Sequence, residues 1–222
     1  MTELNRDIVK KYGLNAGASV VGIVACKDFS LAPDGFKPSD NLDGCRSVIV
    51  LGVPFPQEAL TSMSNVEYTA LRNAILTKMT DIAKIVAKQI TKQSGYRAKA
   101  ISASGGKYVD GKHYGTISLK HAAELAGLGV ITRNDLLTSP KYGNLLWFSA
   151  VLTDADLIPD EKVPYNICVN CNKCVEICPS GALNNPALFG NKECGKFFVV
   201  ENKKVLIKCF LCRKICPYRF GE

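Results

Sequence analysis

Eight cysteines within one short stretch have the clearest chemistry in this sequence. The chain has 222 residues and ten cysteines, eight of which lie between Cys168 and Cys216. The first four follow the spacing Cys168-x2-Cys171-x2-Cys174-x3-Cys178-Pro179. This spacing is typical of ferredoxins with two 4Fe–4S clusters, in which three close cysteines bind one cube and the fourth binds the other. Zinc sites use paired Cys-x2-Cys units and do not need a triple spacing followed by Cys-Pro. The motif therefore predicts iron–sulfur clusters.

A second, incomplete motif supplies further ligands. Cys209-x2-Cys212-x3-Cys216-Pro217 lacks the cysteine that would come three residues earlier, where the sequence has Leu206. Cys194 is the nearby cysteine that is left over, and it completes a count of eight ligands for two cubes. The alternative for Cys194 is an ordinary buried thiol. The predicted ligand sets are Cys168, Cys171, Cys174 and Cys216 for one cube, and Cys178, Cys194, Cys209 and Cys212 for the other.

Composition and the length of the apolar stretches indicate the class of protein and the compartment in which it is expected. Apolar residues make up 47% and charged residues 22% of the chain, which excludes a disordered, collagen-like or low-complexity protein. The first residues contain no apolar signal-peptide core, and the longest apolar stretch, residues 18–26, is too short to span a membrane. We expect a cytoplasmic protein without a membrane segment, in which crowded cysteines bind metal rather than form disulfides.

Positive charge is concentrated near the last cysteines. The net charge is +8, and eight lysines and arginines lie between residues 192 and 219. A solvated basic face is the simplest interpretation. The alternatives are docking of an acidic electron donor, such as ferredoxin or flavodoxin, or of RNA.

The region before the cysteines must form the scaffold, and its strand and helix patterns alternate. This alternation predicts an α/β layer structure over residues 1–160, followed by a small ferredoxin-like domain over residues 161–222. Buried strands are predicted from apolar runs at residues 18–25, 47–53, 97–103 and 145–152.

Helices are predicted from caps and apolar periodicity. The first extends from Thr2 to Tyr12 and ends at Gly13, and a short one starts at Ser118. A long helix capped by Ser64 reaches about residue 93, before Gly95. Its apolar residues recur at steps of three and four, which indicates a face packed into the core. These are Tyr68, Leu71, Ile75, Met79, Ile82, Val86 and Ile90.

With the cysteines, several upstream segments resemble epoxyqueuosine reductases and, more remotely, corrinoid reductive dehalogenases. Residues 118–134 (SLKHAAELAGLGVITRN) are similar to the AGLG block of that group, and residues 150–154 (AVLTD) to its next conserved strand. Residues 43–52 (DGCRSVIVLG) resemble its early strand. The resemblance implies a nitroreductase-like α/β (α+β) domain followed by an eight-iron ferredoxin-like domain.

The resemblance also implies a cofactor and site residues. The cofactor would be a base-off cobamide on the α/β domain, whose cobalt the two clusters reduce; flavin is the less favoured alternative. The proton donor of the family falls near His113 and Tyr114, in a glycine-rich stretch that is otherwise interpreted as an exposed turn. Side-chain-free positions let the backbone approach a flat ring. The predicted cofactor contacts are Gly105, Gly106, Gly127, Gly129 and Asn134.

Two functions are consistent with these features. The first is an iron–sulfur reductase that passes electrons through two clusters to the cofactor and reduces a small molecule. The second is a non-catalytic electron-transfer or reactivating protein, which reduces a separate corrinoid or flavin partner. The chain ends six residues after Cys216, without the helical repeats that many epoxyqueuosine reductases use for tRNA. We therefore expect tRNA not to be the substrate.

Overall fold

The computed structural model divides into two compact units of interleaved segments. It describes residues 4–104, 106–109, 112–162, 164, 167–169, 171–184, 192–201 and 204–221. Unit 1 contains residues 1–54, 75–129 and 147–164, and unit 2 contains residues 55–74, 130–146 and 165–222. Residues 55–74 and 130–146 thus join the cysteine region in one unit. The domain boundary near residue 160 stays a prediction.

Helices and strands follow one another along the described chain. The α-helices are α1 (Arg6–Asn15), α2 (Glu58–Thr61), α3 (Asn65–Ser94), α4 (Leu119–Leu125), α5 (Lys173–Glu176), α6 (Lys192–Gly195) and α7 (Leu211–Ile215). The strands are β1 (Val20–Ala25), β2 (Ser47–Pro54), β3 (Ala98–Ile101), β4 (Gly106–Val109), β5 (Lys112–Gly115), β6 (Val130–Ile131), β7 (Leu137–Thr138), β8 (Leu146–Thr153), β9 (Phe198–Glu201) and β10 (Lys204–Ile207).

A four-stranded sheet with the order β1-β2-β8-β3 forms the core of the α/β fold. β1 pairs antiparallel with β2, from Val20 opposite Gly52 to Ala25 opposite Ser47, and β3 pairs antiparallel with β8. Every residue of β2 from Ser47 to Val53 is buried, because this strand is covered on both faces and is therefore apolar without alternation. The predicted α/β class is confirmed, and the four predicted strands correspond to β1, β2, β3 and β8.

Helix α1 packs closely on the sheet of unit 1. Its N-cap is Asn5, whose side-chain oxygen accepts a hydrogen bond from the Ile8 amide at 3.0 Å; the predicted start at Thr2 lies outside the described residues. The prediction that Gly13 ends this helix is wrong. A Cβ on Gly13 would lie 2.6 Å from Val21 Cγ2 and 2.8 Å from Leu51 Cδ2. Glycine is therefore needed for close packing and not as a terminator.

Helix α3 has the predicted cap, face and end. The Glu67 amide donates to the Ser64 hydroxyl at 3.3 Å, and the Ser64 amide donates to the Glu67 carboxylate at 2.8 Å, which is a capping box. The predicted apolar face is buried, with Leu71 at its half-buried margin. Gly95 follows the last turn with a φ of 77°. No helix among the described residues is long and apolar enough to cross a membrane.

The described residues of the glycine-rich stretch form two paired strands, the β4–β5 hairpin, where an exposed turn is the alternative prediction. β4 and β5 pair antiparallel, with Gly106 opposite Gly115 and Tyr108 opposite His113. Residues 105, 110 and 111 of this stretch, including the predicted cofactor contact Gly105, lie outside the described residues. The predicted helix after Ser118 is confirmed as α4.

Candidate metal centre

One cavity of unit 2 is lined by all four thiols of the first predicted ligand set, Cys168, Cys171, Cys174 and Cys216. Ile167, Pro217 and Tyr218 also line it. Burial raises the pKa of the Cys216 thiol, and the three other thiols raise it further, although a backbone hydrogen bond at Tyr218 acts against them. The shared cavity shows that the fold brings the beginning and the end of the cysteine region together.

The turn between Cys171 and Cys174 depends on one asparagine. Asn172 has a left-handed backbone with a φ of 57° and precedes α5, a conformation that asparagine adopts more readily than most residues. Its carbonyl accepts hydrogen bonds from the amides of Val175 at 2.8 Å and Glu176 at 3.0 Å. The turn places Cys174 on the first turn of α5, within electrostatic reach of Cys171.

The thiols of the second predicted set also influence one another. Burial raises the pKa of Cys212 to about 12; Arg213 lowers it, and Cys194, Cys209 and Cys178 raise it. Burial likewise raises the pKa of Cys194, and Cys209, Cys178 and the Asp135 carboxylate add to the effect. The structure therefore groups Cys194 with Cys178, Cys209 and Cys212, the set to which the sequence assigned it.

Cys178 differs from the other thiols because it accepts several hydrogen bonds. Its sulfur lies 3.3 Å from the Ser180 hydroxyl. Burial raises the pKa of Cys178, but the Ser180 side chain and the backbone amides of Leu183, Ser180 and Ala182 together lower it below its ordinary value. Hydrogen bonds of this kind stabilise a thiolate, the form that binds iron.

Three buried polar side chains hold the segment that contains Cys212. Asn134 Nδ2 donates to the Cys212 carbonyl at 3.3 Å, and Asn144 Nδ2 donates to the Arg213 carbonyl at 3.1 Å. Arg213 Nη1 donates in return to the Asn144 carbonyl. Their exposed fractions are only 4%, 0% and 6%. These bonds fix the backbone on both sides of the peptide that links Cys212 to Arg213.

The sequence singles out one of these residues and misses the other two. Asn134 is a predicted cofactor contact, which stays a prediction; in unit 2 its side-chain oxygen accepts from the Thr132 hydroxyl at 2.8 Å and from the Leu136 amide at 3.1 Å. Arg213 had no signal beyond its place inside the second motif. Asn144 had none, because its partner is 69 residues away.

The start of helix α3 supports the strand before Cys209. The ring of Tyr68 stacks on Phe210, with centroids 3.9 Å apart and 6° between the ring planes. Thr69 accepts a hydrogen bond from the Ile207 amide at 3.0 Å, and Asn65 donates to the Lys208 carbonyl at 3.2 Å. Residues 55–74 are therefore part of the scaffold of the cysteine region.

A single metal ion and a cluster make different demands on these thiols. Among the described residues, no three His, Cys, Asp or Glu side chains are close enough together to hold one ion. A cube has iron at four separate corners and keeps its thiolates further apart than one ion does. Four thiol donors per set are the donor type and number that a 4Fe–4S cube requires.

The predicted site residues of unit 1 are placed on the hairpin and in a turn. The Tyr114 side chain is half-buried, with its ring edge-on to Phe36 at 5.7 Å. His113 lies next to it in β5. Gly106 is exposed in β4. Gly129 has a φ of 157°, and Gly127 has a φ of 72°, with the Glu161 carbonyl oxygen 2.2 Å from where a Cβ would stand. Backbone packing thus already requires glycine at residue 127.

Comparison with known proteins defines the class first. The sequence model described as "4Fe-4S binding domain" matches residues 162–184, the segment with the first cysteine motif. This segment therefore matches 4Fe–4S binding domains.

The curated relatives of this chain include several epoxyqueuosine reductases. An epoxyqueuosine reductase of Lactococcus garvieae is 24% identical over 83% of this chain and 55% of its own length. One of Gloeobacter violaceus is 32% identical over 50% of this chain and 38% of its own. The third, from Bacillus subtilis, is 29% identical over 49% of this chain and 31% of its own. The chain thus spans about a third to just over half of these relatives.

The solved structures share the fold. A crystal structure of epoxyqueuosine reductase with a tRNA-Tyr epoxyqueuosine-modified stem loop has a TM-score of 0.68 at 18% identity, covering 96% of this chain and 64% of that one. A catabolic reductive dehalogenase has a TM-score of 0.72 at 21% identity, covering 95% of this chain and 31% of that one. The predicted resemblance to both groups is confirmed.

Proposed function

We propose that this chain is an oxidoreductase similar to epoxyqueuosine reductases, which passes electrons through two 4Fe–4S clusters to a cofactor on its α/β fold. The observation that carries the proposal is the grouping of eight cysteines into two sets of four within unit 2. A lone zinc site or a structural disulfide needs fewer thiols. Two cubes in one module form an electron path, and the sheet of unit 1 is the part of the chain left for the acceptor.

The protein's own groups set the properties of each cluster. Each bound cluster would carry one electron at a time. Its reduction potential would depend on the nearby charge, on its burial and on hydrogen bonds to its sulfurs. In the second set, Ser180 is placed to donate to the Cys178 sulfur and the Arg213 cation lies near Cys212. Both favour added negative charge. We therefore expect the cube of the second set to accept electrons at a less negative potential than it would without these two residues.

The cofactor that we propose is a base-off cobamide, with flavin as the alternative. A cobamide supplies a strongly nucleophilic reduced metal centre when bound. The hairpin suits a flat ring in part, because Gly106 is exposed and carries no Cβ. Gly127 does not suit it, since the Glu161 carbonyl occupies the space beside it. Tyr114 and His113 are the proposed proton donors to the reduced substrate.

The proposed partners follow from charge and from the relatives. An acidic donor such as ferredoxin or flavodoxin would dock on the basic cysteine region. The substrate is proposed to be a small molecule or a corrinoid partner. The expectation that tRNA is not the substrate gains no support from the solved neighbour with a bound tRNA stem loop. Epoxyqueuosine, free and within a stem loop, is therefore a substrate to assay.

The first test measures clusters and cofactor. Anaerobically prepared protein should contain about eight iron and eight sulfide per chain. Its optical spectrum should change when cobalamin or flavin is added and should then respond to reduced ferredoxin. Zinc in place of iron after anaerobic reconstitution would contradict the cluster proposal. Full clusters without binding of either cofactor would instead favour the non-catalytic electron-transfer protein.

The second test concerns proton donation. The double variant with His113→Ala and Tyr114→Phe should lose turnover of epoxyqueuosine or of a halogenated hydroxybenzoic acid, while cluster spectra and cofactor binding stay unchanged. Tyr96→Phe, an exposed tyrosine outside the hairpin, is the matched control and should keep full activity. Full activity of the double variant would remove the hairpin from the mechanism.

A further inference from the structure

Two cysteines outside the predicted cluster sets meet in unit 1. Cys26 directly follows β1, and Cys45 lies two residues before β2. The Cys26 amide donates to the Arg46 carbonyl at 2.8 Å, so the ladder between these strands continues one pair beyond Ala25 and Ser47. A cross-strand neighbour displaced by one residue lies about 6 Å away between Cα atoms, within the range that a disulfide spans. Both cysteines lie outside the strands, where side chains need not alternate between the two faces, and their side chains are in hydrogen-bond contact.

The two thiols are not equivalent. Cys45 is buried with 9% exposure, whereas Cys26 is half-buried. Burial raises the pKa of Cys45 to about 12; charge repulsion by Cys26 and a side-chain hydrogen bond with it add to this, while backbone hydrogen bonds at Thr153 and Ser47 act against it. Cys45 thus stays protonated, and its sulfur donates to the Ser47 carbonyl at 3.6 Å. Cys26 is the more accessible of the two sulfurs.

Both thiols line a cavity of about 780 Å³, within the size range of small-molecule sites. Its other charged lining residues are Lys27, Lys37, Arg46 and Asp156. Lys37 pairs with Asp34 at 2.8 Å and Arg46 with Asp156 at 2.5 Å. Asp34 and Asp156 thus offset two of the three cations, and the charge of Lys27 is the excess that makes the cavity attractive to a small anion.

We propose that Cys26 and Cys45 form a dithiol centre that is oxidised by an anionic low-molecular-weight disulfide bound in this cavity. The Cys26 thiolate attacks one sulfur of that disulfide, which breaks the S–S bond and releases one small thiol. Cys45 then gives up its proton and its sulfur attacks Cys26, which releases the second small thiol. Two protein thiols are oxidised to one disulfide, and two electrons and two protons go to the small disulfide.

This chemistry is separate from the proposed electron path. Neither cysteine belongs to the two sets of four in unit 2, and no step requires a cluster or a cofactor. In the reducing compartment expected for this chain, such a disulfide forms transiently and serves to sense or carry oxidising equivalents.

Mass spectrometry tests the reaction on the intact, cluster-containing protein. Oxidised glutathione is added anaerobically, free thiols are alkylated, and trypsin then releases residues 12–27 and 28–46, which contain Cys26 and Cys45 and no other cysteine. Wild-type protein should give the two peptides joined by a disulfide. Absence of this linked pair at a large excess of oxidised glutathione would overturn the proposal.

Two variants separate the roles of the thiols. Cys45→Ser should accumulate one glutathionyl group on Cys26, because the resolving thiol is absent. In the Cys26→Ser variant, oxidised glutathione should modify Cys45 at least tenfold more slowly than it modifies Cys26 in Cys45→Ser, because the Cys45 thiol is buried and protonated. Equal rates in the two variants would contradict the assignment of Cys26 as the nucleophile. Retained iron in both would show that the clusters are intact.

A charge variant tests the anionic ligand. Lys27→Gln should slow the reaction with oxidised glutathione by about threefold, the size expected for one exposed charge. The reaction with neutral hydroxyethyl disulfide should keep its rate. Lys88→Gln, an exposed lysine on α3, is the control and should change neither. Equal slowing with both disulfides, or no slowing at all, would remove the preference for an anion.

Discussion

The thiols of the two units differ in number and in what holds them. In unit 2, cysteines on short helices and turns lie in two sets of four, held by buried side chains such as Asn134 and Arg213. In unit 1, Cys26 and Cys45 are held only in a pair, at the end of the ladder between β1 and β2. Four converging thiols can enclose a cluster, whereas two can only form a disulfide or share one small ligand. The number of thiols that the fold brings together therefore decides which chemistry each cysteine can take part in.

Removing one thiol from each region gives the largest expected contrast. Cys194→Ala should either lose one cluster, so that iron falls by about half, or convert it to a three-iron cluster, which changes the electron paramagnetic resonance spectrum. Cys26→Ala and Cys45→Ala should leave iron unchanged. Iron and sulfide analysis with electron paramagnetic resonance measures this. Unchanged iron and spectra in Cys194→Ala would mean that Cys194 is an ordinary buried thiol, and a different ligand would complete the second cube.

Two glycines test whether each unit depends on close backbone packing. Gly143 in unit 2 has a φ of 54°, and its added Cβ would lie 2.2 Å from the Arg219 backbone. Gly127 in unit 1 is blocked at the same distance by Glu161. Replacement of either by alanine should lower the free energy of unfolding by about 3 kcal/mol, measured by denaturant titration.

Gly35→Ala is the matched control for these glycines. It also has a positive φ, of 82°, but nothing lies within 4 Å of its added Cβ. Gly35→Ala should lower the free energy of unfolding by only about 1 kcal/mol, the effect of the left-handed backbone conformation alone. Equal costs at all three positions would show that backbone conformation matters there and that close packing does not.

Arg213 is expected to affect both the stability and the electron affinity of unit 2. Arg213→Met leaves the buried Asn144 carbonyl without its donor, which should cost about 2 kcal/mol in the free energy of unfolding. Loss of the cation near Cys212 should also make the potential of the second cluster more negative, as seen in a redox titration. Lys88→Met removes an exposed charge on α3 in unit 1 and should shift neither. An unchanged potential in Arg213→Met would separate this residue from the cluster.

The cap of helix α3 gives the smallest expected effect. Ser64→Ala removes the hydroxyl that accepts from the Glu67 amide and should lower the free energy of unfolding by about 1 kcal/mol. Ser62→Ala, which loses only a 3.4 Å contact to the Glu58 carbonyl, should change it by less than about 0.5 kcal/mol. Thermal unfolding of the two variants side by side distinguishes them.

Local features of this protein could be determined from the sequence by itself. The apolar run of β2 predicts a strand buried on both faces, and the Ser64–Glu67 spacing predicts the start of α3, because both depend on neighbouring residues. The spacing of the cysteines also predicts which thiols belong together, and the structure brings the same sets together. Their role as ligands stays a prediction.

Contacts between distant residues were decided only by the tertiary structure. Gly13 appears as a helix end in the sequence, but its position against Val21 and Leu51 makes it a packing glycine. The bond between Asn144 and Arg213 joins residues 69 apart, and Cys26 meets Cys45 only because β1 pairs with β2. The physical reason is that a sequence pattern reports the preferences of a segment for burial and for turns. Which buried polar group or thiol finds which partner depends on how the segments pack.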